Sequence, residues 1–294
     1  MLTSTTTRAH RLSLRPGAPP DADAPARMLA GEPPEAFSSP AGLAAGRHWL
    51  PRLRRALAED LFVLHFQPIV CVRDGRVSHH EALLRLAEQP GGALLAPGRF
   101  LPAAERHGLI REIDRMVLEK VAALLGRERR LDGVRIAVNV SALSVTDETM
   151  LAHLDRMLTL HRLDPSRLVI ELTETAAISD MARAKAFCAG VQALGCAVAL
   201  DDFGAGFGSF QYLKHLPFTY LKIDGDFIRG LPCSRTDQLV VKALVSVVRG
   251  MGRETIAEFV GDEPTFMMLR SYGVDYAQGF HLGRPAAQLP ELLA

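Results

Sequence analysis

The sequence contains no run of 18 or more apolar residues, and its amino terminus lacks the apolar core of a secretory signal. It therefore predicts no membrane span, and we expect a cytoplasmic location. Cysteine is scarce too: Cys71, Cys188, Cys196 and Cys233 are scattered and form no CxxC pair. Their spacing argues against a disulfide framework or a cysteine zinc site and predicts reduced thiols.

Neither sign of charge is in excess, since 34 Lys and Arg residues face 33 Asp and Glu residues and the net charge is +1. A balance this even gives no basis for bulk binding to nucleic acid, and we expect no DNA partner. The chain has 294 residues, of which 48% are hydrophobic. That is enough for a sizeable core in one large domain or two smaller ones.

The first 46 residues differ from the rest, because they hold seven of the 18 prolines together with many Ala, Ser and Thr residues. Such a segment buries too little apolar surface to offset its ordering entropy, so we expect residues 1–46 to be disordered and the folded domain to span 47–294. The domain opens on WLPRLRRALAED, with Leu50, Leu53 and Leu57 at helical spacing among arginines. A membrane-surface helix is one interpretation; we favour a packed lead-in helix.

Apolar runs and helical patterns then alternate along the chain. The predicted strands cover residues 61–70, 76–86, 134–142, 167–175, 197–202, 219–224, 254–260 and 274–280. Only the short turn RDG separates the first two strands, which predicts an antiparallel pair. The repeated βα units indicate an α/β protein with a (β/α)₈ barrel whose first strand is irregular. A doubly wound open sheet is the alternative.

The stretch AVALDDFGAGFG, residues 197–208, runs from apolar residues directly into two acids, Asp201 and Asp202, and a glycine-rich turn. Neighbouring carboxylates repel each other, and a hard divalent cation such as Mg²⁺ removes that cost. An isolated pair of this kind is more often a helix cap followed by a solvated acid. The other predicted strands shift the balance, because they also end in polar groups.

These strand-end residues are Glu81, Asn139, Glu171, Asp201, Asp202, Lys222, Glu258 and Gln278. The carboxyl ends of barrel strands meet at one face, where active sites lie. Four carboxylates and an asparagine could fill most of one metal shell, and a shared carboxylate would hold a second metal for an in-line phosphoryl displacement. Lys222 would be an electrostatic or water-positioning group, or else a structural salt bridge.

Several blocks in this order, FQPIV, HEALLR, VNVSA, ELTET, DDFGAGFGSFQYLKHLP, LKIDGDFI, IAEFV and QGFHLGRP, resemble the EAL-domain cyclic-di-GMP phosphodiesterases of bacteria. The resemblance covers about residues 50–290. It implies a modified TIM (β/α)₈ barrel with an antiparallel first strand. It also implies hydrolysis of cyclic di-GMP to linear pGpG, with two Mg²⁺ or Mn²⁺ ions per active site.

The resemblance also implies roles for single residues. One metal would be held by Glu81, Asn139, Glu171 and Asp201, and the second by Asp201, Asp202 and Glu258. Lys222 and Glu258 would position or deprotonate the attacking water. The dinucleotide would contact Gln67, Leu83, Arg85 and Gln278.

Glu174 would brace the loop after Asp202, which the family uses for dimerisation, so we expect a homodimer with the helix at 210–216 at its interface.

The chain departs from the family pattern beside two of these motifs. It reads AEFVG where AEGVE is usual, so Phe259 replaces a glycine and Gly261 replaces a glutamate. The loop after Asp202 carries Ala205, Phe207 and Gly208 in place of the common TGYS. These changes keep a second hypothesis open, in which a catalytically weak domain is a cyclic-di-GMP receptor and signals through an unidentified protein partner.

Overall fold

The computed structural model describes residues 48–204 and 212–293, so the segment predicted to be disordered, 1–46, lies outside the described residues. The described chain opens with helix α1 (Trp49–Ala58), which buries Trp49, Leu53 and Ala56. Leu50 and Leu57 are partly buried against the same core. The helix therefore packs on the domain, as the leucine spacing predicts.

Nine strands are present in the described residues, and they form one sheet. They are β1 (Phe62–Cys71), β2 (Val77–Ala87), β3 (Leu94–Leu95), β4 (Ile136–Asn139), β5 (Leu168–Thr173), β6 (Ala197–Phe203), β7 (Tyr220–Ile223), β8 (Glu254–Ala257) and β9 (Tyr276–Ala277). The order is β1-β9-β8-β7-β6-β5-β4-β2-β3, and β1 also pairs with β2. Eight strands therefore close into a barrel. The barrel prediction is confirmed, and the open sheet is wrong.

Strand β1 is antiparallel to both of its neighbours, β2 and β9. The ladders from β2 through β4 to β9 are parallel. The cause is local: a short turn joins β1 to β2, whereas a parallel pair needs a crossover of a dozen or more residues. The hairpin register places Gln67 of β1 opposite Glu81 of β2.

Helices surround the barrel and connect most of its parallel strands. After α1 they are α2 (Leu101–Arg106), α3 (Ile110–Arg127), α4 (Ala142–Val145), α5 (Met150–His161), α6 (Glu174–Ser179), α7 (Met181–Ala193), α8 (Gly225–Arg229), α9 (Arg235–Gly250), α10 (Glu263–Tyr272) and α11 (Pro290–Leu293). The helix expected at 210–216 is described only from residue 212, where a 3₁₀ turn spans Tyr212–Lys214.

The last two strands are shorter than the sequence predicts. The run predicted at 254–260 ends as a strand at Ala257, and the run at 274–280 is a strand only at Tyr276–Ala277. The backbones continue to pair beyond the regular ladder, since Gln278 N donates to Ala257 O and Val260 N donates to Gln278 O. Both segments bend here, at the mouth of the barrel, while their backbone groups stay hydrogen-bonded.

One apolar layer fills the inside of the barrel. It consists of Ile69, Ala137, Val169, Ala199, Tyr220 and Ile256. On β2 the equivalent position is His79, whose ring centroid lies 5.5 Å from that of Tyr220. Burial lowers the pKa of His79 to about 3, so this imidazole is a neutral member of the layer, which we call the apolar plug. Side chains two residues further along each parallel strand face the same side and form the next layer.

The turn after β4 is anchored by a buried carboxylate on α3. Asp114 Oδ2 accepts hydrogen bonds from Ser141 N at 2.9 Å, from Ser141 Oγ at 2.6 Å and from Ser144 Oγ at 2.7 Å. Burial raises the pKa of Asp114, and the serine hydrogen bonds oppose that shift. The bonds hold the start of α4 directly after Asn139, the last residue of β4.

We expect Asp114→Ala to lower the free energy of unfolding by about 2–4 kcal/mol, because three hydrogen-bond donors lose their acceptor and Ser144 Oγ among them is fully buried. Urea denaturation measures this change. The matched control is Asp155→Ala on the exposed side of α5, which should stay within about 0.5 kcal/mol of the wild type. Equal effects of the two substitutions would contradict the anchoring role of Asp114.

Candidate active site

A layer of polar side chains lies directly above the apolar plug, because alternate residues of a strand point to the same side. A polar residue follows a residue of the apolar layer by two positions on each of β4 to β7 and just beyond β8; these are Asn139, Glu171, Asp201, Lys222 and Glu258. Glu81 follows His79 in the same way on β2. The structure therefore brings together the strand-end residues that the sequence predicts, at the carboxyl ends of the parallel strands.

Lys222 lies at the centre of this layer and is 1% exposed. Its Nζ is 2.9 Å from Glu171 Oε2, 2.9 Å from Asp201 Oδ1 and 3.0 Å from Glu258 Oε1. Glu81 Oε2 is at 3.6 Å. One ammonium thus faces four carboxylates in a water-poor site, where charges interact strongly.

The pKa values show how the charges depend on one another. Burial alone would lower the pKa of Lys222, but the surrounding acids raise it well above its usual value, so the ammonium stays charged. Burial raises the pKa of Glu171 and of Glu258 well above the usual range, and Lys222 opposes both shifts. Burial raises the pKa of Asp202 to about 6, and the negative charge of Asp201 is the second-largest cause of this shift.

The donor set fits a hard divalent cation. Asp201, Asp202 and Glu258 each offer an oxygen, and these atoms all lie within 4.8 Å of one another. Glu171 Oε1 is buried and has no hydrogen-bond partner among the described residues. Carboxylate oxygens are the ligands that Mg²⁺ and Mn²⁺ prefer, and added positive charge would offset the excess of acids over Lys222.

The second acid of the pair has an unusual backbone. Asp202 has φ +54°, and its N–H donates to Asp201 Oδ1 at 3.0 Å. Gly204 follows with φ +103°, and its N–H donates to Glu174 Oε2 at 2.8 Å. A Cβ at Gly204 would lie 2.3 Å from Phe227 Cε2, so both the backbone angle and the space require glycine. Glu174 thus contacts the start of the loop that it is predicted to brace. The rest of that loop, 205–211, lies outside the described residues.

A chain of amides joins Glu81 to the antiparallel strand. Glu81 Oε1 accepts from Asn139 Nδ2, and Glu81 Oε2 accepts from Gln278 Nε2, both at 2.7 Å. Gln278 Nε2 also donates to Gln67 Oε1 at 3.2 Å, and Gln67 Nε2 donates to Gly283 O at 3.0 Å. Three of the predicted site residues are therefore bonded to Glu81 directly or through one amide.

Leu83 and Arg85 lie on the same face of β2 as Glu81, because alternate residues of a strand share a face. At about 3.3 Å per residue, they stand roughly 7 and 13 Å beyond Glu81 along the strand. Neither belongs to the layer that Lys222 forms with its carboxylates. Arg85 Nη1 donates to Leu84 O at 2.8 Å, and burial lowers the pKa of its guanidinium.

Sequence reasoning missed Asp224, which follows β7 directly. Its charge is one of the causes that raise the pKa of Asp202. Its Oδ1 accepts from Asp226 N at 2.7 Å and caps α8. The signal was present in LKID, since Asp224 follows an apolar run as Asp201 follows the apolar run of β6.

Fold and site together define a TIM-barrel protein with an acid-rich mouth. The EAL domain family model matches residues 51–285, and the chain belongs to this family. It is 37% identical over 239 residues to the cyclic di-GMP phosphodiesterase PdeB of Shewanella oneidensis, covering 81% of this chain and 28% of that protein. It is 39% identical over 239 residues to the bifunctional diguanylate cyclase/cyclic di-GMP phosphodiesterase MucR of Pseudomonas aeruginosa, covering 79% of this chain and 34% of MucR.

Solved structures agree with the fold. The PaMucR phosphodiesterase in its c-di-GMP complex matches with a TM-score of 0.77 and 37% identity, over 84% of this chain and all of that one. The FimX EAL domain of Pseudomonas aeruginosa bound to c-di-GMP matches with a TM-score of 0.75 and 32% identity, over 82% of this chain and 97% of that one. The chain spans about a third of the length of the curated relatives above.

Within the described residues, no helix combines the length and the apolar character needed to cross a membrane.

Lys222→Met should lower the free energy of unfolding in metal-free buffer by about 3–5 kcal/mol, because four buried carboxylates lose their counter-charge. Saturating Mg²⁺ should restore part of that loss, since a bound cation supplies the missing charge. Thermal and urea unfolding with EDTA or Mg²⁺ measure both effects. The control is Lys242→Met, an exposed lysine over the Tyr272 ring. A metal-free Lys222→Met protein as stable as the wild type would contradict the electrostatic account of this layer.

Proposed function

We propose that this domain hydrolyses one phosphodiester of cyclic di-GMP to give linear pGpG, with two Mg²⁺ or Mn²⁺ ions per active site, in the cytoplasm. The observation that carries the proposal is the layer of Lys222 and its carboxylates at the barrel mouth, which retains every metal ligand that the resemblance implies. Similarity to named phosphodiesterases supports the substrate.

The residues that would hold the metals are already close together. Glu81, Asn139, Glu171 and Asp201 would hold one ion, and Asp201, Asp202 and Glu258 the other. When bound, such ions supply charge to the phosphodiester and lower the pKa of a water. The chain's own contribution is to hold these side chains at neighbouring strand ends before any ligand arrives.

The attacking water is assigned to Lys222 and Glu258. Glu258 Oε1 lies 3.0 Å from Lys222 Nζ, so a proton acceptor and a hydrogen-bond donor lie side by side, which supports this assignment. We assign to Glu258 the acceptance of a proton from that water, and to Lys222 its orientation and the stabilisation of negative charge on the phosphate.

The dinucleotide would be held at the rim. Arg85 presents a guanidinium on the Glu81 face of β2, and such a group matches phosphate oxygens in a bidentate manner. Leu83 offers apolar surface between Arg85 and the acids. Gln67 and Gln278 are bonded to each other, and Gln278 Oε1 is buried without a partner among the described residues. That free acceptor is suited to a donor on the ligand or on a bound water.

A second candidate function is a catalytically weak receptor for cyclic di-GMP that signals through a protein partner. The observation that favours it is Gly261, where the family has a glutamate. The neighbouring acids do not substitute for it: Asp262 Oδ1 accepts from Thr265 N at 2.8 Å, and Glu263 Oε2 contacts His281 Nε2 at 2.9 Å. Both carboxylates are engaged away from Glu258.

The proposal also includes a homodimer formed through the loop after Asp202. Glu174 and Gly204 link the start of that loop to the acidic pair, so a contact there could bias the geometry of Asp202.

Glu81→Ala should reduce formation of pGpG by more than about 100-fold, beyond the 10–100-fold that supporting residues of a metal site cost. Replacing Mg²⁺ by Ca²⁺ should inhibit the wild type, because Ca²⁺ is larger and its ligands adopt a looser geometry than those of Mg²⁺. Chromatography of the reaction products measures both. Glu119→Ala, an exposed acid on α3, is the matched control. Wild-type turnover by Glu81→Ala would exclude the two-metal mechanism.

Gly261→Glu should raise turnover about 10–100-fold with little change in dinucleotide affinity, because it returns a carboxylate near Glu258. The substitution fits, since among the described residues a Cβ at Gly261 meets only Phe259 O, at 4.0 Å. Steady-state kinetics and binding in Ca²⁺ measure the two quantities. If neither the wild type nor Gly261→Glu produces pGpG while both bind cyclic di-GMP, the receptor function holds and the enzyme function fails.

A further inference from the structure

A second concave site lies at the opposite end of the barrel from the layer that Lys222 forms with its carboxylates. It is a cavity of about 430 Å³, a size within the range of small-molecule sites. Its walls come from the end of β1 and the turn after it, the start of β8, the ends of α9 and α10, and the start of β9. Glu254 in its wall and Glu258 at the barrel mouth are roughly 13 Å apart along an extended chain. The cavity is therefore separate from the acidic layer.

Three arginines give this cavity its positive charge. They are Arg73, Arg249 and Arg270, and all three are exposed. None of them forms an ion pair within the part of the chain that the structure describes. Asp74 adjoins Arg73 in the turn, but its Oδ1 accepts from Arg76 N at 3.1 Å. Three guanidinium groups around one cavity, none paired with a carboxylate, attract anions.

Backbone carbonyls hold two of these guanidinium groups in place. Arg249 Nη2 donates to Gly273 O, and Arg270 Nη2 donates to Arg73 O at 3.2 Å. Gly273 has φ +78°, and a Cβ there would lie 2.7 Å from Arg249 Nη2, so glycine makes room for the first contact. A carbonyl is neutral, so it orients a guanidinium without cancelling its charge. The other N–H groups of each arginine can therefore bind phosphate oxygens.

Two acids also line the cavity, and the protein uses one oxygen of each. Asp275 Oδ2 accepts from Thr255 N at 2.9 Å and from Thr255 Oγ1 at 3.0 Å. Glu254 Oε1 accepts from the Tyr276 hydroxyl at 3.2 Å. Burial raises the pKa of Tyr276 to about 12, so this hydroxyl keeps the proton that it donates. The second oxygen of each carboxylate accepts no hydrogen bond from the described residues, and a ligand hydroxyl could donate to it.

We propose that this cavity binds a small phosphate monoester that also carries hydroxyl groups, as sugar phosphates do. The phosphate lies against Arg73, Arg249 and Arg270, and the hydroxyls donate to Glu254 and Asp275. Each half of the ligand thus meets the groups that its chemistry requires, because arginine donates to phosphate and a carboxylate accepts from a hydroxyl. The site does not depend on the proposed function, since none of its residues belongs to the acidic layer.

The test is calorimetric titration of the full chain with ribose 5-phosphate and with glucose 6-phosphate at low ionic strength. EDTA is present, so that phosphate cannot bind through a cation at the barrel mouth. Arg73→Gln removes a side chain that makes no hydrogen bond or ion pair among the described residues. It should weaken binding about 10-fold, the effect of one charge-assisted hydrogen bond, and leave the unfolding temperature unchanged. The matched control is Arg235→Gln, an exposed arginine at the other end of α9, which should leave affinity unchanged.

Two further comparisons test the two halves of the site. Glu254→Gln keeps an acceptor for Tyr276 and removes a negative charge, so it should bind inorganic phosphate more tightly than the wild type does. In the wild type, inorganic phosphate and ribose should each bind at least about 10-fold more weakly than ribose 5-phosphate, because each lacks one set of contacts. Equal affinity for inorganic phosphate and ribose 5-phosphate would overturn the role of the acids and with it the proposal.

The remaining outcomes are also decisive. If neither sugar phosphate binds, or if Arg73→Gln binds them as the wild type does, the proposal fails and the arginines serve only this end of the barrel, where stability is the usual role. Sedimentation of the chain with phosphatidylserine vesicles, without binding of either sugar phosphate, would assign the arginines to a lipid surface instead. The hydrolysis of cyclic di-GMP is measured separately, and its absence would overturn the proposed function and leave this site unaffected.

Discussion

The contact between Lys222 and its ring of acids holds the active-site layer together. Each carboxylate in this layer is costly to bury, and together they would repel one another strongly. The lysine ammonium, within 3.0 Å of three of them, offsets part of that cost. Negative charge still exceeds positive charge, and this imbalance is what suits the layer to divalent cations. The groups that make the site costly to fold are those that could bind metal.

The barrel makes this concentration of charge feasible. Its apolar plug, including the neutral ring of His79, separates the acidic layer from the opposite end of the barrel. Parallel strands deliver one side chain each to the layer, and the reversed strand β1 adds Gln67 from the opposite direction. Buried hydrogen bonds outside the layer, such as those of Asp114, fix the turns that follow the strands. Rigid supports of this kind keep the oxygens in place before any ligand arrives.

The departures from the family pattern lie beside Glu258 and in the loop after Asp202, and none of them replaces a carboxylate that contacts Lys222. Gly261 removes a carboxylate, and its acidic neighbours are engaged with Thr265 and His281. Phe259 adds an aromatic surface on a left-handed backbone and is supported by Arg229. Both changes lie next to Glu258, and neither removes a contact of Lys222.

The sequence by itself determined the barrel class, the order of its strands and the residues of the acidic layer. It could do so because hydrophobic periodicity and strand ends are local properties, and because side-chain alternation sends residues such as Glu171 and Asp201 to one side. Only the tertiary structure decided the rest. That Lys222 contacts the four acids, that His79 plugs the barrel and that Arg229 lies over the ring of Phe259 depend on side chains distant in sequence. The early ends of β8 and β9 depend on hydrogen bonds between the two segments, which no local pattern records.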